Sequence, residues 1–189
     1  VNSLRTPVFA EMVNIVNDTD VTFNNFLFDE TRFRAQFSNY VFSNNRAITK
    51  SMITWWAYTF ATQPLLSLEN AFDIEHIFPR NRQQKENSLK NPHSLEMLGN
   101  KSLLERRINI RASDYRFADK IKYYMGFQTS KGQKEGTNIT ELKMLANELA
   151  DYTERNITER SERILDGFVE YLKTNALIKS SKELNPINA

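Results

Sequence analysis

The chain has 189 residues, of which 40% are hydrophobic and 25% are charged, with no cysteine and only 5 glycines. These values fit one domain, or one domain with a helical extension, and exclude a disordered or membrane-spanning chain. The lack of cysteine excludes thiol catalysis, disulfides and cysteine-bound zinc. A glycine-rich phosphate loop is also excluded, because neither GxGxxG nor GxxxxGK[ST] occurs.

The formal net charge of +2 conceals an uneven distribution. Residues 76–137 contain 13 Lys/Arg and 6 Asp/Glu, a net charge of +7, whereas the segments on both sides are net negative. A concentrated basic segment is what a surface that binds a polyanion requires. A solvated lysine-rich loop would give the same count, so charge alone leaves both interpretations open.

The first third of the chain has the periodicity of helices. Thr6 and Pro7 resemble a helix start, and an apolar stripe at helical spacing begins at Phe9. A second helix is predicted from Asp29, and a third over about residues 45–62. We expect the many aromatic residues of this segment in the core, with an exposed platform for base stacking as the alternative.

The middle third breaks the helical pattern. Residues 72–79 (FDIEHIFP) are rich in β-branched and aromatic residues and end in proline, which predicts a short strand. A polar loop follows, and residues 97–104 (MLGNKSLL) predict a second strand. Helix is expected to resume within or after residues 105–112. Strand, loop, strand and helix within about 50 residues make a ββα unit.

The last third is also predicted to be helical. Two sequences that resemble capping boxes, Asn138-Ile-Thr-Glu141 and Asn156-Ile-Thr-Glu159, predict helix starts. An apolar stripe follows the second one, and the charged residues opposite it are expected to be solvated. Those residues are Glu159, Arg160, Glu162, Arg163, Asp166 and Glu170.

The chain has only two histidines, His76 and His93. A lone histidine is more often structural than catalytic, but His76 has carboxylates beside it at Glu75 and Asp73. A neutral imidazole suits a general base, whereas carboxylate and amide oxygens suit Mg²⁺ or Mn²⁺. His93 lies in the polar loop and is predicted to be a surface residue.

Several of these residues together resemble a known nuclease motif. The run Glu75-His76-Ile77-x-Pro79, then Leu98-Gly99-Asn100-x-x-Leu103-Leu104, then Asn109, is similar to the HNH (His-Me finger, ββα-metal) motif in its H-N-N form. With Phe117 and Lys120 added, the string resembles the C-terminal nuclease domain of GmrSD-type modification-dependent (type IV) restriction enzymes. The resemblance covers about residues 72–122. It implies a mainly α protein with a small ββα-metal finger, and helices before and after the finger.

The resemblance also implies a role for each matching position. His76 would be the general base that deprotonates the attacking water, and Asn100 would hold the loop and His76 in place. Lys120 would contact phosphate or brace the site. The neighbouring basic residues would contact the DNA backbone, which gives salt-sensitive binding without sequence information. These residues are Arg80, Arg82, Lys101, Arg106, Arg107, Arg111 and Arg116.

One divalent metal ion, Mg²⁺ or Mn²⁺, is implied by the same resemblance. Glu75 and Asn109 would hold it, and Asp73 would compete as a ligand. The motif departs from its usual form at two of these positions, because Glu75 stands where aspartate is common and Asn109 stands where histidine occurs. A neutral amide oxygen binds metal weakly, so occupancy is expected to need DNA.

We therefore predict a cytoplasmic, metal-dependent HNH endonuclease domain that forms part of a larger restriction or anti-phage defence protein. Its expected partners are DNA, including modified phage DNA, and the N-terminal nucleotide-hydrolysing domain of the parent protein, with no membrane. Two alternatives are a non-catalytic nucleic-acid-binding or docking module with a degenerate finger, and a nuclease that acts on RNA.

The predicted organisation has five parts. An N-terminal helical block packs on the nuclease core, a flexible loop follows the core, and C-terminal helices precede a polar tail. The corresponding ranges are 1–70, 71–126, 127–138, 139–178 and 179–189.

Overall fold

A computed structural model describes residues 9, 12–14, 16–17, 28–67, 69–175 and 177–178 of the chain. The helix predicted after Pro7 lies largely outside the described residues, and the tail predicted at 179–189 lies wholly outside them. None of the described helices combines the length and the apolar character that crossing a membrane would need.

Seven α-helices and four β-strands have defined bounds among the described residues, and residues 9, 12–14 and 16 are helical as well. The helices are α1 (Glu30–Ser38), α2 (Ala47–Ala57), α3 (Arg80–Glu86), α4 (Arg106–Ala112), α5 (Phe117–Met125), α6 (Thr140–Glu148) and α7 (Glu154–Thr174). The strands are β1 (Phe72–His76), β2 (Lys101–Glu105), β3 (Gly126–Thr129) and β4 (Gly132–Glu135), and short 3₁₀ turns lie at Pro92–Glu96 and Leu98–Asn100. The protein is therefore mainly α with two small antiparallel hairpins, the coarse class that the sequence predicts.

The chain divides into two compact units. The smaller unit draws on Val1–Phe33 and Val169–Ala189. In it, Lys173 pairs with Glu30 at 2.9 Å. The larger unit is Arg34–Phe168 and contains every candidate site residue.

The first hairpin joins β1 and β2 in antiparallel register, with His76 opposite Lys101 and Phe72 opposite Glu105. Helix α4 follows β2 directly, so the two strands and the helix occur in the predicted order, but the segment between the strands, predicted to be a polar loop, contains helix α3. The second strand was expected to begin at Met97, but residues Leu98–Asn100 form a 3₁₀ turn. The main-chain groups of Leu98 and Gly99 bond to the side chains of Tyr152, Arg160 and Ser161, which explains the later start of β2.

The second hairpin, β3 and β4, lies in a segment that was expected to be a flexible loop. Gly126 and Gly132 adopt positive φ angles of 83° and 112°, a region that residues with a Cβ atom rarely adopt. The Thr129 hydroxyl donates to the Gly132 carbonyl oxygen at 2.7 Å across the turn. Gly126 thus ends α5 and begins β3, while Gly132 and the Thr129 bond close a two-residue turn, so the segment forms a hairpin.

The C-terminal helices begin close to their predicted starts. Helix α7 starts at Glu154, two residues before the predicted Asn156, because the Asn156 carboxamide oxygen reaches back to accept a bond from the Thr153 nitrogen at 2.9 Å. The stripe on α7 is buried as predicted at Ile157 and Ile164. Arg160 was expected on the solvated face of α7, but its side chain lies in the interior with an exposed fraction of 1%.

Candidate active site

The predicted catalytic and metal-binding residues lie in three separate groups along β1. Side chains of a strand alternate between its two faces, so Asp73 and Glu75 point to one face and His76 to the other. Asp73 is also three positions from His76, roughly 10 Å along the strand. Each group has its own partners, and the structure does not bring Asn109 and His76 together.

The first group, here called the histidine cluster, consists of His76, Lys101, Glu96, Arg80 and Asn44. The Lys101 ammonium contacts His76 Nε2, and it also donates to Glu96 at 2.8 Å and to the Asn44 side-chain oxygen at 3.2 Å. Glu96 lies 3.4 Å from His76 Nε2 and accepts a bond from Arg80 at 2.9 Å. His76 itself is only 7% exposed.

Electrostatics in the histidine cluster favour a neutral imidazole. Burial lowers the pKa of His76 to about 4; Glu96 opposes this shift and Lys101 adds to it. Burial likewise lowers the pKa of Lys101 to about 8, so the ammonium is still mainly charged at neutral pH. A charged ammonium only donates, and His76 Nε2 is therefore the acceptor in this contact, with the ring proton on Nδ1.

The second group surrounds Glu75, which is 4% exposed. One of its carboxylate oxygens accepts bonds from the Lys120 ammonium at 2.6 Å and from the Tyr124 hydroxyl at 2.7 Å. Lys120 also donates to the carbonyl oxygen of His76 at 2.7 Å. Burial raises the pKa of the Glu75 carboxyl, while Lys120 and Tyr124 oppose the rise. Lys120 thus ties the main chain of β1 to α5.

The third group joins Asp73 of β1 to helix α4. The Asn109 side-chain nitrogen lies 3.5 Å from an Asp73 carboxylate oxygen, and the other oxygen accepts a bond from Arg106 at 3.1 Å. Asn109 is partly exposed. This is the place where the structure puts a carboxylate next to an amide, the two oxygen donors that a hard divalent cation prefers.

Asn100 has the contacts of a residue that fixes a loop. It is fully buried, and its side-chain oxygen accepts from the Phe78 nitrogen at 2.7 Å. Its side-chain nitrogen donates to the carbonyl oxygens of Phe78 at 3.1 Å and Leu95 at 3.0 Å. Its main-chain oxygen also accepts from the Ile77 nitrogen at 3.0 Å. The two residues that follow His76 are therefore held by one asparagine.

The basic residues expected on a DNA-binding surface differ in their exposure. Lys101 departs from that expectation, because its side chain is completely buried in the histidine cluster. Arg82 is mostly buried and pairs with Asp151 at 2.8 Å. The more exposed arginines have acidic or carbonyl partners: Arg80 with Glu96, Arg106 with Asp73, Arg107 with Glu135, Arg111 with the Glu135 carbonyl and Arg116 with Glu86.

Several residues of these groups were not identified from the sequence. Tyr124 lies four positions after Lys120 on α5, so the helical repeat places it beside Lys120 and could have indicated it. Glu96 and Asn44 gave no comparable signal, because they reach His76 and Lys101 from a 3₁₀ turn and from a loop distant in sequence. His93, the other histidine, is partly exposed, and its Nε2 lies 3.1 Å from the Ser38 carbonyl oxygen.

Each of the three groups offers few ligand side chains for a metal ion. In the part of the chain that the structure describes, no three or more His, Cys, Asp and Glu side chains are grouped so that they could hold a metal ion. Asp73 with Asn109 fits a weakly held ion that gains further ligands from a phosphate. Glu75 fits less well, because an ion at its carboxylate would compete with the Lys120 ammonium for the same oxygens.

The fold and these groups define a small mainly α domain with a polar, partly basic site on a ββα unit. The family model described as "GmrSD restriction endonucleases, C-terminal domain" matches residues 28–166, well over half of the chain. The chain therefore belongs to this family, as the resemblance of the sequence motif predicts, and the family indicates a nuclease that acts on DNA in a restriction system. Comparisons with curated proteins and with solved structures find no match.

Proposed function

We propose that this domain hydrolyses phosphodiester bonds of DNA through an HNH (His-Me) finger formed by β1, β2 and α4. The observation that carries the proposal is the ββα unit in which His76 ends β1 and Asn100 holds the main chain that follows. Membership in a restriction endonuclease family supports the same reaction. The ranges predicted from the sequence remain part of the proposal, with the nuclease core at 71–126.

His76 is the proposed general base. Its imidazole is neutral at pH 7, because burial lowers its pKa to about 4, so Nε2 would accept the proton of an attacking water once the Lys101 ammonium has moved away from it. Asn100 and Lys120 are proposed as residues that hold the base, since both bond to the main chain at or directly after His76. DNA must reach a largely buried ring, which requires the contacts in the histidine cluster to open.

One divalent ion, Mg²⁺ or Mn²⁺, is the proposed cofactor. Asp73 and Asn109 would hold it, because a turn of the Asn109 amide directs its oxygen into the space beside the Asp73 carboxylate. Glu75 is the alternative ligand and would first have to leave Lys120. When bound, the ion would supply positive charge to the scissile phosphate, which would have to lie between Asp73 and His76, roughly 10 Å apart along the strand.

The proposed DNA surface uses the exposed basic side chains near the finger. Arg80, Arg106, Arg107 and Arg116 each expose between 46% and 59% of the side chain, so phosphates can reach them in exchange for their present acidic partners. Lys101 is not part of this surface, because it is buried. Such contacts would position DNA without reading its sequence.

Cleavage of supercoiled plasmid tests the proposed reaction. His76→Ala should abolish Mg²⁺- or Mn²⁺-dependent nicking, whereas His93→Ala, which replaces the other histidine of the chain, should leave it unchanged. Full activity of purified His76→Ala would refute the assignment of the base. Matched DNA and RNA substrates of one sequence would establish which nucleic acid is cleaved.

Calorimetric titration with Mn²⁺, in the presence of a short DNA duplex, tests the proposed ion site. Asp73→Asn should weaken Mn²⁺ binding at least tenfold, and Glu75→Gln should change it by less than threefold. The reverse pattern would assign the ion to Glu75 and refute the choice of Asp73.

A non-catalytic module that binds nucleic acid or a protein partner is the second candidate. The burial of His76 beneath Lys101 and Glu96 favours it, because a base that water cannot reach does not act. Intact DNA binding without Mn²⁺ binding or cleavage would support this alternative over the nuclease.

We further propose that the domain works in the cytoplasm as part of a larger anti-phage protein that also contains a nucleotide-hydrolysing domain. Preference for modified phage DNA would belong to that larger protein. Comparing the parent protein with this domain on modified and unmodified DNA tests this division of roles.

A further inference from the structure

We propose that Arg160, assisted by Tyr152, is a positioning residue of the nuclease site, and that helices α6 and α7 are therefore part of the catalytic unit. This inference rests on the proposed role of His76. It gives a function to a residue that the sequence pattern assigns to a solvated helix face.

Arg160 directs its guanidinium at the turn that precedes β2. One terminal nitrogen donates to three main-chain oxygens: Leu98 at 3.3 Å, Gly99 at 2.9 Å and Lys101 at 2.8 Å. The other two nitrogens donate to the two carboxylate oxygens of Glu141 on α6, at 2.8 and 2.6 Å. This fork-to-carboxylate pair fixes the plane of the guanidinium, so its remaining donors point at the turn in a single geometry.

Other residues of the same two helices and their connection fasten Gly99 itself. The Tyr152 hydroxyl donates to the Gly99 carbonyl oxygen at 2.8 Å, and the Gly99 nitrogen donates to the Ser161 hydroxyl at 2.8 Å. A Cβ at Gly99 would lie 2.7 Å from the Ser161 nitrogen and closer still to the Ile157 carbonyl oxygen. The turn thus packs directly against α7 and is hydrogen-bonded to Arg160 and Ser161 of that helix.

The fastened turn leads directly to the histidine cluster. Asn100, the next residue, holds the main chain of Ile77 and Phe78, which follow His76. Lys101 comes after it and contacts the His76 ring, and its own carbonyl oxygen is one of the three that Arg160 binds. A shift of the turn therefore moves both the main chain behind His76 and the ammonium in front of it.

The chemistry requires this accuracy, because a displacement of about 1 Å at a reacting group lowers rates by about a hundredfold. Arginine suits the task better than lysine, since lysine is a point charge that cannot bind one carboxylate with two bonds and three carbonyls at once. The hydrogen-bond network runs from Gly99 through Arg160 and Glu141 to Trp56, and substitutions at its two ends should affect the rate differently. The end at Gly99 adjoins the site, and the opposite end, where Trp56 donates to Glu141 at 2.9 Å, does not.

Three single variants of the full 189-residue chain test the inference. Arg160→Lys keeps the positive charge but loses the pair of parallel hydrogen bonds to the Glu141 carboxylate. Tyr152→Phe removes one hydrogen bond at Gly99. Trp56→Phe is the matched control, because it removes one hydrogen bond from the same network at the end away from the turn. Activity is measured at a temperature at which circular dichroism shows each variant fully folded.

We expect kcat to fall at least tenfold in Arg160→Lys and at least threefold in Tyr152→Phe, with KM for DNA within twofold of the wild type. Trp56→Phe should keep kcat within twofold. The two histidines also allow a direct readout by ¹H–¹⁵N NMR of the imidazole rings. The His76 signals should move in Arg160→Lys and Tyr152→Phe, whereas the His93 signals should not.

Unchanged kcat and unchanged His76 signals in a folded Tyr152→Phe or Arg160→Lys would overturn the inference. An equal loss of kcat in Trp56→Phe and Tyr152→Phe would do so as well, because it would mean that the network acts only through stability. The NMR readout does not depend on cleavage. If the wild-type chain proves inactive, the proposed function fails, while the ring signals still decide whether Arg160 positions His76.

Discussion

Replacing Lys120 with methionine leaves the buried Glu75 carboxylate without its ammonium partner. The two groups lie 2.6 Å apart, with exposed fractions of 1% and 4% for their side chains. Methionine fills a similar volume but supplies no charge and no donor. The bond from Lys120 to the His76 carbonyl oxygen is lost as well, whereas the bond from Tyr124 to Glu75 remains.

Breaking a buried ion pair by removing one partner costs about 3–5 kcal/mol, because the remaining charge stays desolvated. The free energy of unfolding should fall by this amount at neutral pH. For a chain of this size each kcal/mol corresponds to roughly 2–4 °C, so the melting temperature should fall by about 6–20 °C. Glu75→Gln in the same chain removes the stranded charge, and the double variant should recover most of the loss.

The loss should depend on pH in a defined direction. Burial raises the pKa of Glu75 in the folded state, and Lys120 opposes that rise, so the variant has a folded-state pKa still further above the value of the unfolded chain. A group with a raised folded-state pKa contributes its stability below the unfolded pKa, about 4.3 for glutamate, and loses it as the pH rises through the folded pKa. The variant should therefore be closest to the wild type near pH 4 and furthest from it near pH 8.

Urea unfolding followed by the fluorescence of Trp55 and Trp56, at intervals from pH 4 to pH 8, measures both effects. Parallel slopes against urea would show that the variants unfold from equally compact states. A loss below 1 kcal/mol at pH 8, or a loss of equal size at all pH values, would refute the reasoning that Lys120 neutralises a desolvated carboxylate.

Three further outcomes are expected. Asn100→Asp places a carboxylate oxygen, which only accepts, against the Phe78 and Leu95 carbonyl oxygens. The free energy of unfolding, measured by thermal unfolding, should therefore fall by about 2–4 kcal/mol, and a fall under 1 kcal/mol would contradict this. Gly99→Ala overlaps the main chain of α7 and should cost about 1–3 kcal/mol or more. Gly167→Ala meets only side-chain ring carbons of Trp56 and Trp55, the nearest at 3.2 Å, and should stay within about 1 kcal/mol; equal losses would refute this. Replacing Arg106, Arg107 and Arg116 together with glutamine should make the slope of log K for DNA binding against log salt concentration shallower by about 0.9 per lost phosphate contact. An unchanged slope would exclude these contacts.

Much of the architecture could be predicted from local sequence signals. β-Branched and aromatic residues before Pro79 indicated β1, and helical periodicity indicated α7 and its buried stripe. Boundaries were less accurate where long-range bonds compete with local preference. Leu98–Asn100 reads as the start of a strand, but contacts with α7 turn it into a 3₁₀ turn.

The candidate site was predictable in its residue types but not in its grouping. The adjacency of Glu75 and His76 in sequence suggested one shared site, yet strand alternation places them on opposite faces with different partners. Lys101 was expected on the DNA-binding surface that the resemblance implies, but contacts with Glu96, Asn44 and His76 hold it in the interior.

The sequence by itself determined the family, the place of His76 in a short strand, and the second strand and helix that follow it, because periodicity and motif spacing are local properties. The uneven charge behind the net value of +2 also came from sequence alone. Tertiary structure decided which of those charges face solvent. Arg160 has the helical position of a surface residue, but Glu141 and three carbonyls from a turn some 60 residues away hold it in the interior. A buried charge is stable only where packing brings enough partners together, and no local pattern encodes that.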